Sequence, residues 1–89
     1  MRELPEGWKE RDGKLRAVYE FKDFVRAMTF LHEVAFLAES SEHHPDFTVH
    51  WNRVDFTVWS HDVDKVTNRY LKLVAGIAKI AVRHTATPG

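Results

Sequence analysis

The sequence predicts one α+β domain over residues 1–89, a four-stranded antiparallel sheet with two main helices packed on one face. Two observations predict this fold class. Apolar residues alternate with polar ones in short stretches, as in half-buried strands, and recur every three to four residues in two longer stretches, as in amphipathic helices. The elements follow the order strand, strand, helix, strand, strand, helix, which indicates a sheet with its helices on one side.

The first two strands are predicted on either side of the dipeptide Asp12-Gly13. Both positions tolerate positive φ, which favours a tight hairpin turn. The second arm covers residues 14–21 and alternates, with inward-facing positions at Leu15, Ala17, Tyr19 and Phe21. This alternation is typical of a strand with one buried face.

The first helix is predicted from Asp23 to about Ala38, with Asp23 as its N-cap. One apolar stripe runs along it and comprises Phe24, Ala27 or Met28, Leu31, Val34 or Ala35, and Ala38. Three further apolar residues lie outside this stripe, namely Phe30, Phe36 and Leu37. A helix that is apolar over so much of its circumference is expected to contact another subunit as well as the core.

Residues 39–46 contain two serines and a proline and are predicted to form a loop. The stretches 47–51 and 54–59 then alternate and are joined through Asn52-Arg53, which indicates a second antiparallel hairpin. Its inward-facing residues are Val54, Phe56 and Val58. The last helix is predicted from the spacing of Val63, Val66, Tyr70, Leu73, Ile77 and Ile80, and residues 85–89 are expected to fray.

The composition excludes several function classes. Lys plus Arg and Asp plus Glu are 13 each, so no charge excess favours nucleic acid or an anionic membrane surface. There is no cysteine, which excludes disulfides and thiol chemistry. No window resembles a membrane span or a signal peptide, so the cytoplasm is the expected location.

The run Glu42-His43-His44-Pro45-Asp46, with His61 further on, is the strongest indication of chemistry. Histidine exchanges protons near neutral pH, and Glu39 supplies a carboxylate that would fix which ring nitrogen is protonated. Strand ends and loops meet at one edge of a small sheet, so these groups are candidates for general acid–base catalysis.

Two other interpretations stay open at this point. The adjacent histidines are equally consistent with the ordinary polar composition of a surface loop. A metal site built from Glu39, His43, His44 and His61 is less favoured, because neighbouring histidines in extended backbone point apart and no Cys or His-x-x-x-His pair completes it. The sequence also lacks a nucleophile elbow and a Gly-rich phosphate loop.

The remaining aromatic and histidine residues have structural interpretations. Trp8 is equally consistent with the core and with a flat pocket wall for a planar heterocycle. Trp51 and Trp59 are interpreted as packing residues. His32 is expected on a surface or interface, His50 either exposed or in a pocket wall, and His84 without a specific role.

Several motifs together resemble the pterin-4a-carbinolamine dehydratases, whose full name is 4a-hydroxytetrahydrobiopterin dehydratase. The pattern is Glu39-x-x-x-His43-His44-Pro45, an aromatic residue at Trp51 six residues on, and His61 ten beyond it. The resemblance extends over nearly the whole chain without gaps, through Gly7-Trp8, Phe21-Lys22-Asp23-Phe24, Arg26-Ala27 and Asn52-Arg53-Val54.

This resemblance implies homodimers or homotetramers, no metal or organic cofactor, and a link to aromatic amino-acid hydroxylases through recycling of their pterin cofactor. The implied reaction is loss of water from 4a-hydroxytetrahydropterin. His43 and His61 would be acids, His44 would orient the pterin and share in proton transfer, and Glu39 would be the charge partner. Trp8 and Pro45 would contact the substrate. Some members of the family serve instead as non-enzymatic dimerisation or assembly factors.

One position departs from the family pattern. Many members carry an aspartate about nine residues after the last histidine, where this chain has Tyr70. If that aspartate orients the last histidine, Asp62 or Asp64 would have to substitute for it here.

Overall fold

The computed structural model describes residues 4–59 and 68–89. Its elements are β1 (Lys9–Arg11), β2 (Lys14–Glu20), α1 (Phe24–Ser41), β3 (Asp46–His50), β4 (Arg53–Val58), α2 (Asn68–Arg83) and β5 (Thr87–Pro88). The sheet is antiparallel with strand order β1-β2-β4-β3, and β5 pairs with β2 beside β1. The α+β class and the predicted order are confirmed, with β5 as an addition.

The first hairpin turns as predicted. Asp12 and Gly13 have φ of 53° and 76°, the left-handed values that a tight two-residue turn needs. The four inward residues of the second arm are buried, and they form the floor of the core together with Val54, Phe56 and Val58 of β4. The pairing of Ala17 with Phe56 sets the register between these two strands.

The N-terminus of α1 is capped as predicted, because the Asp23 carboxylate accepts a hydrogen bond from the backbone N–H of Arg26 at 2.8 Å. The helix continues to Ser41 and β3 begins at Asp46, so the loop prediction for residues 39–46 is wrong for its first three residues and its last one. Two serines in that stretch favoured a loop, but the N–H groups of Glu42 and His43 bond to the carbonyls of Glu39 and Ala38 and close the last turn. Glu42 takes a left-handed φ of 51° there. This pattern is a Schellman cap.

The core face of α1 differs from the predicted stripe. Phe30 was expected outside the stripe but is fully buried, because its ring packs 4.8 Å from Phe21 and 5.9 Å from Phe56. Phe24 and Met28 were expected inside the stripe but are 49% and 43% exposed. The aromatic residues of the sheet therefore decide which side of this broadly apolar helix is buried.

The second hairpin turns one residue earlier than predicted. His50 pairs with Arg53, so Trp51 and Asn52 form the turn. Trp51 has a left-handed φ of 55° and is 68% exposed, so its interpretation as a packing residue was wrong. Asn52 holds the turn against the end of β2, since its side-chain NH₂ donates to the carbonyl of Phe21 at 2.8 Å.

Helix α2 buries the predicted residues Tyr70, Leu73, Ile77 and Ile80, while Val63 and Val66 lie outside the described residues. It packs closely on α1 at Gly76, where a Cβ atom would lie 2.7 Å from the Leu37 side chain. Close helix approach explains a glycine in the middle of this helix. No helix in the described part of the chain is long and apolar enough to cross a membrane.

The tail after α2 was predicted to fray, but it pairs with the sheet. Thr87 and Pro88 pair with Glu20 and Tyr19 of β2, and the N–H of Gly89 donates to the carbonyl of Val18 at 2.8 Å. The free edge of β2 beyond the short β1 supplies the backbone partners for this extra strand.

His84 also has a definite place. Its Nε2 bonds to the Glu33 carboxylate at 3.0 Å, and Arg83 donates to the same carboxylate at 2.7 Å. These contacts tie the end of α2 to α1, so the expectation that His84 has no specific role was wrong.

Candidate active site

The histidine pair lies in a short connection, residues 42–45, between α1 and β3. The Schellman cap fixes its start, and pairing of Asp46 with Thr57 of β4 fixes its end. His44 precedes Pro45, a position that disfavours helical backbone and keeps the chain extended. The two imidazoles are consequently turned towards different helices.

His44 faces the last turn of α1. Its Nε2 lies 2.5 Å from Oε2 of Glu39, and both side chains are largely exposed to water. A carboxylate can only accept, so Nε2 carries the proton and Nδ1 is the nitrogen left for other partners. The helical position of Glu39 thus sets the tautomer and the orientation of the His44 ring.

Glu39 and His44 line an apolar cleft of about 200 Å³. The other lining residues are Leu31, Val34, Ala35, Ala38, Pro45 and Phe47. The volume is below the roughly 300–1,000 Å³ of pockets for drug-sized ligands, so its size suits a small ligand. A mostly apolar cleft with a carboxylate and an imidazole in its lining is suited to binding and orienting a heterocycle.

His43 faces α2 instead. Its imidazole packs on the ring of Tyr70, with 3.7 Å between ring centroids and 47° between planes. The buried Nδ1 has no hydrogen-bond partner among the residues described. Burial lowers the pKa of His43 below its usual value, and the nearby Arg69 guanidinium lowers it further, against a weaker opposing contribution from the Arg69 backbone. Both main causes favour the neutral ring.

The predicted site residues therefore fall into separate groups. Glu39, His44 and Pro45 line the cleft, whereas His43 is not among its lining residues and packs on Tyr70 of α2. His61 lies outside the described residues. Trp8 is 5% exposed in the core, which confirms the core interpretation, while its contact with substrate stays a prediction. Its indole N–H donates to the Tyr19 hydroxyl at 2.7 Å, which satisfies the only polar group it has.

Sequence reasoning missed three residues of this region. Phe47 lines the cleft. Its position could have been inferred from the strand pairing, in which it lies opposite the core residue Phe56. Arg69 and Tyr70 act on His43 from α2. Tyr70 was predicted as an apolar position of the last helix and noted as a departure from the family pattern, but no local signal connects residues 69 and 70 with residue 43.

The other histidines stay apart from this region. His32 is exposed on α1 with its ring edge-to-face on Phe36 at 5.1 Å, as expected for a surface or interface residue. His50 is exposed on β3. Within residues 4–59 and 68–89, no three His, Asp or Glu side chains group as ligands of a metal ion.

The fold and the histidine loop define a small α+β protein with an imidazole-bearing surface site. The family model for pterin 4 alpha carbinolamine dehydratase matches residues 1–80. The chain belongs to that family.

Relatives and a solved structure agree with this membership. A Thermomicrobium roseum protein, provisionally named a pterin-4-alpha-carbinolamine dehydratase, is 38% identical over 91% of this chain and 86% of its own length. A relative from Koribacter versatilis with the same provisional name is 39% identical over 83% of this chain and 79% of its own. The crystal structure of a transcriptional coactivator/pterin dehydratase from Brucella melitensis superposes with a TM-score of 0.82 at 33% identity, covering 86% of this chain and 84% of that one.

A second solved structure shares the fold at lower identity. It is a pterin dehydratase-like protein described as a RuBisCO assembly factor in the alpha-carboxysome. It superposes with a TM-score of 0.72 at 16% identity, covering 89% of this chain and 90% of that one. This likeness concerns the fold alone, since one fold hosts different functions.

Proposed function

We propose that this protein is a hydro-lyase that dehydrates 4a-hydroxytetrahydropterin to the quinonoid dihydropterin by histidine acid–base catalysis. Family membership supports the reaction class. The observation that carries the proposal is the hydrogen-bonded Glu39–His44 pair in the lining of an apolar cleft that Pro45 and Phe47 also line.

The reaction needs two proton transfers and nothing else. The hydroxyl oxygen on ring carbon 4a takes up a proton, the carbon–oxygen bond breaks, and water leaves. The neighbouring ring N–H then gives up its proton and its electron pair completes the new carbon–nitrogen double bond. Each well-placed proton transfer typically contributes about 10²–10⁴-fold to the rate.

The environments of the two described histidines favour different tasks. The Nε2 of His44 donates to the Glu39 carboxylate, which fixes the ring and leaves Nδ1 to face the pterin. His43 is kept neutral beside Tyr70 and Arg69, so it is suited to accept a proton rather than to supply one. This changes the role that the resemblance implied for His43. His61 remains the candidate acid on the other face of the ring.

The proposal is tested by stopped-flow measurement of carbinolamine breakdown in the wild type, in His44→Ala and in buffer. The wild type should exceed buffer, and His44→Ala should lose most of that excess. His50→Ala is the matched control, since His50 is an exposed histidine on β3 outside the cleft. Equal rates for wild type, His44→Ala and buffer would end the proposal.

The setting of the reaction is part of the same proposal. We propose a cytoplasmic enzyme that needs no metal or organic cofactor and serves recycling of tetrahydrobiopterin for aromatic amino-acid hydroxylases. Dialysis against a chelator should leave its rate unchanged. A rate that is lost on dialysis and restored by a divalent metal would contradict this part alone.

The outward side of α1 supports a homodimer or homotetramer. Four of its apolar side chains are 43–69% exposed, namely Phe24, Val25, Met28 and Phe36. A row of this kind on one helix face marks an interaction surface. Light scattering of the wild type should give an oligomer mass, and Phe36→Glu should lower that mass. A monomeric wild type would contradict the proposal.

The same surface favours one second function, a non-enzymatic protein-binding or assembly module. This alternative predicts no pterin binding by calorimetry and a stoichiometric partner retained in a pull-down from the native cell. The non-enzymatic alternative loses its support if the exposed side of α1 is covered in a homotetramer that also turns over the carbinolamine.

A further inference from the structure

Tyr70 stands where many members of the resembled family carry an aspartate. In the structure its side chain contacts His43. The Tyr70 ring lies against His43 with 3.7 Å between centroids. It does so from α2, which is separated from the histidine loop by the whole of the second hairpin. Residue 70 therefore acts on the first histidine of the pair.

We propose that Tyr70 is a positioning residue whose ring fixes the orientation of the His43 imidazole for proton transfer to or from the pterin. This inference rests on the proposed dehydratase function. It deepens that function by giving the family's aspartate position a different physical task in this chain.

The rigidity of both partners supports this role. Tyr70 is 9% exposed and belongs to the main hydrophobic core, so its ring cannot move without disturbing α2. His43 is attached to the end of α1 by the hydrogen bond from its N–H to Ala38 at 3.0 Å. A ring held at its backbone and at one face has few rotamers left. Catalytic groups need this kind of support, because small losses of alignment lower the rate strongly.

An aromatic partner and a carboxylate at position 70 would have different effects on the protonation of His43. Arg69 from α2 and His44 from the loop are the charged or titratable groups that act on His43 there, and both disfavour its protonation. A carboxylate at position 70 would do the opposite and favour the imidazolium. Tyr70 covers the ring without adding negative charge, so the neutral form is retained.

The test uses variants at position 70 and two independent readouts. Tyr70→Phe keeps the ring, Tyr70→Leu removes it, and Ile77→Val is the control that trims a buried residue of α2 away from His43. The first readout is the NMR shift of the His43 ring protons, which an aromatic neighbour displaces. The second is the stopped-flow rate, separated into kcat and KM.

We expect Tyr70→Phe and Ile77→Val to match the wild type in both readouts. Tyr70→Leu should return the His43 protons to ordinary shifts and lower kcat about tenfold with little change in KM. Tyr70→Asp should raise the pKa of His43 in the same spectra. If Tyr70→Leu leaves kcat unchanged while the wild type is active, the positioning role is overturned and the dehydratase stands.

The remaining outcomes are also decisive. A loss of activity in Tyr70→Phe equal to that in Tyr70→Leu would assign the effect to the hydroxyl and overturn the ring-packing inference. If the wild type has no activity, the dehydratase proposal fails, and unperturbed His43 shifts in the wild type would then overturn the contact itself.

Discussion

His43 and His44 are neighbours in sequence and occupy opposite environments. His43 packs on Tyr70 beside the Arg69 guanidinium, with its Nδ1 buried. His44 is exposed and bonds to the Glu39 carboxylate. His43 meets α2 and His44 meets the last turn of α1. The two chemically identical groups are thereby suited to different tasks.

The largest effect is expected from removing the two imidazoles in turn. His44→Ala and His43→Ala should each lower kcat by about 10²–10⁴-fold, since each removes one placed proton transfer. Circular dichroism should show both variants folded. If His43→Ala keeps full activity while His44→Ala loses it, the division of work between the two rings is wrong.

A smaller effect is expected at the carboxylate. Glu39→Gln should lower kcat about tenfold, because a neutral amide makes a weaker hydrogen bond to the His44 ring than a carboxylate and orients the ring less firmly. Its stability to urea should stay within about 0.5 kcal/mol of the wild type, since exposed ion pairs contribute little. A stability loss well above that, with activity intact, would mean that the pair is structural.

The acid side of the pH profile separates the two histidines further. The pKa of His43 is lowered in the folded protein, so its neutral form persists below the ordinary value of about 6.5. The favourable contribution of neutral His43 is present above about pH 6.5 and is lost as pH falls through the lowered pKa. Urea unfolding of the wild type and His43→Gln between pH 5 and 8, roughly spanning that value, measures this loss.

On acidification, the free energy of unfolding of the wild type should fall by more than that of His43→Gln. Parallel pH dependences in the two proteins would show that His43 titrates normally, and the burial against Tyr70 would then have no electrostatic consequence.

The smallest effect concerns the loop that separates the two rings. Glu42 adopts left-handed backbone at the end of α1, a conformation that disfavours side chains and favours glycine. Glu42→Gly should therefore raise the free energy of unfolding by about 0.5–1 kcal/mol. Ser41→Gly is the matched control one residue earlier, within the helix, and should lower it by a similar amount. The same sign for both variants would contradict the assigned cap.

Much of the fold was predictable because its signals are local. Asp12-Gly13 defined a turn by its backbone preferences, Asp23 defined a helix start by its side-chain oxygen, and alternation in β2 and β4 defined the buried face. Each of these effects acts within a few residues. The pattern along the chain therefore contained the necessary information.

The wrong predictions concern features that are determined by contacts between residues distant in the sequence. Phe30 is buried because Phe21 and Phe56 of the sheet meet it, and the tail pairs with β2 because an edge is free there. Trp51 is exposed because the turn falls one residue earlier than its polar neighbours indicated. None of these partners is visible from the local sequence.

The candidate site shows the same division. The sequence identified Glu39 and His44, whose contact spans five residues of one helix end and its loop. The sequence did not identify the contact of His43 with Tyr70, because one residue precedes the second hairpin in the chain and the other follows it. The lowered pKa of His43 arises from burial and from Arg69 of α2, which no local pattern places beside it.

A crystal structure with a bound dihydropterin tests the proposed site most directly. We expect the flat ring in the apolar cleft against Phe47, with a ring heteroatom within hydrogen-bond distance of His44 Nδ1 and with His43 still packed on Tyr70. A dihydropterin bound elsewhere on the protein with this cleft empty would contradict it.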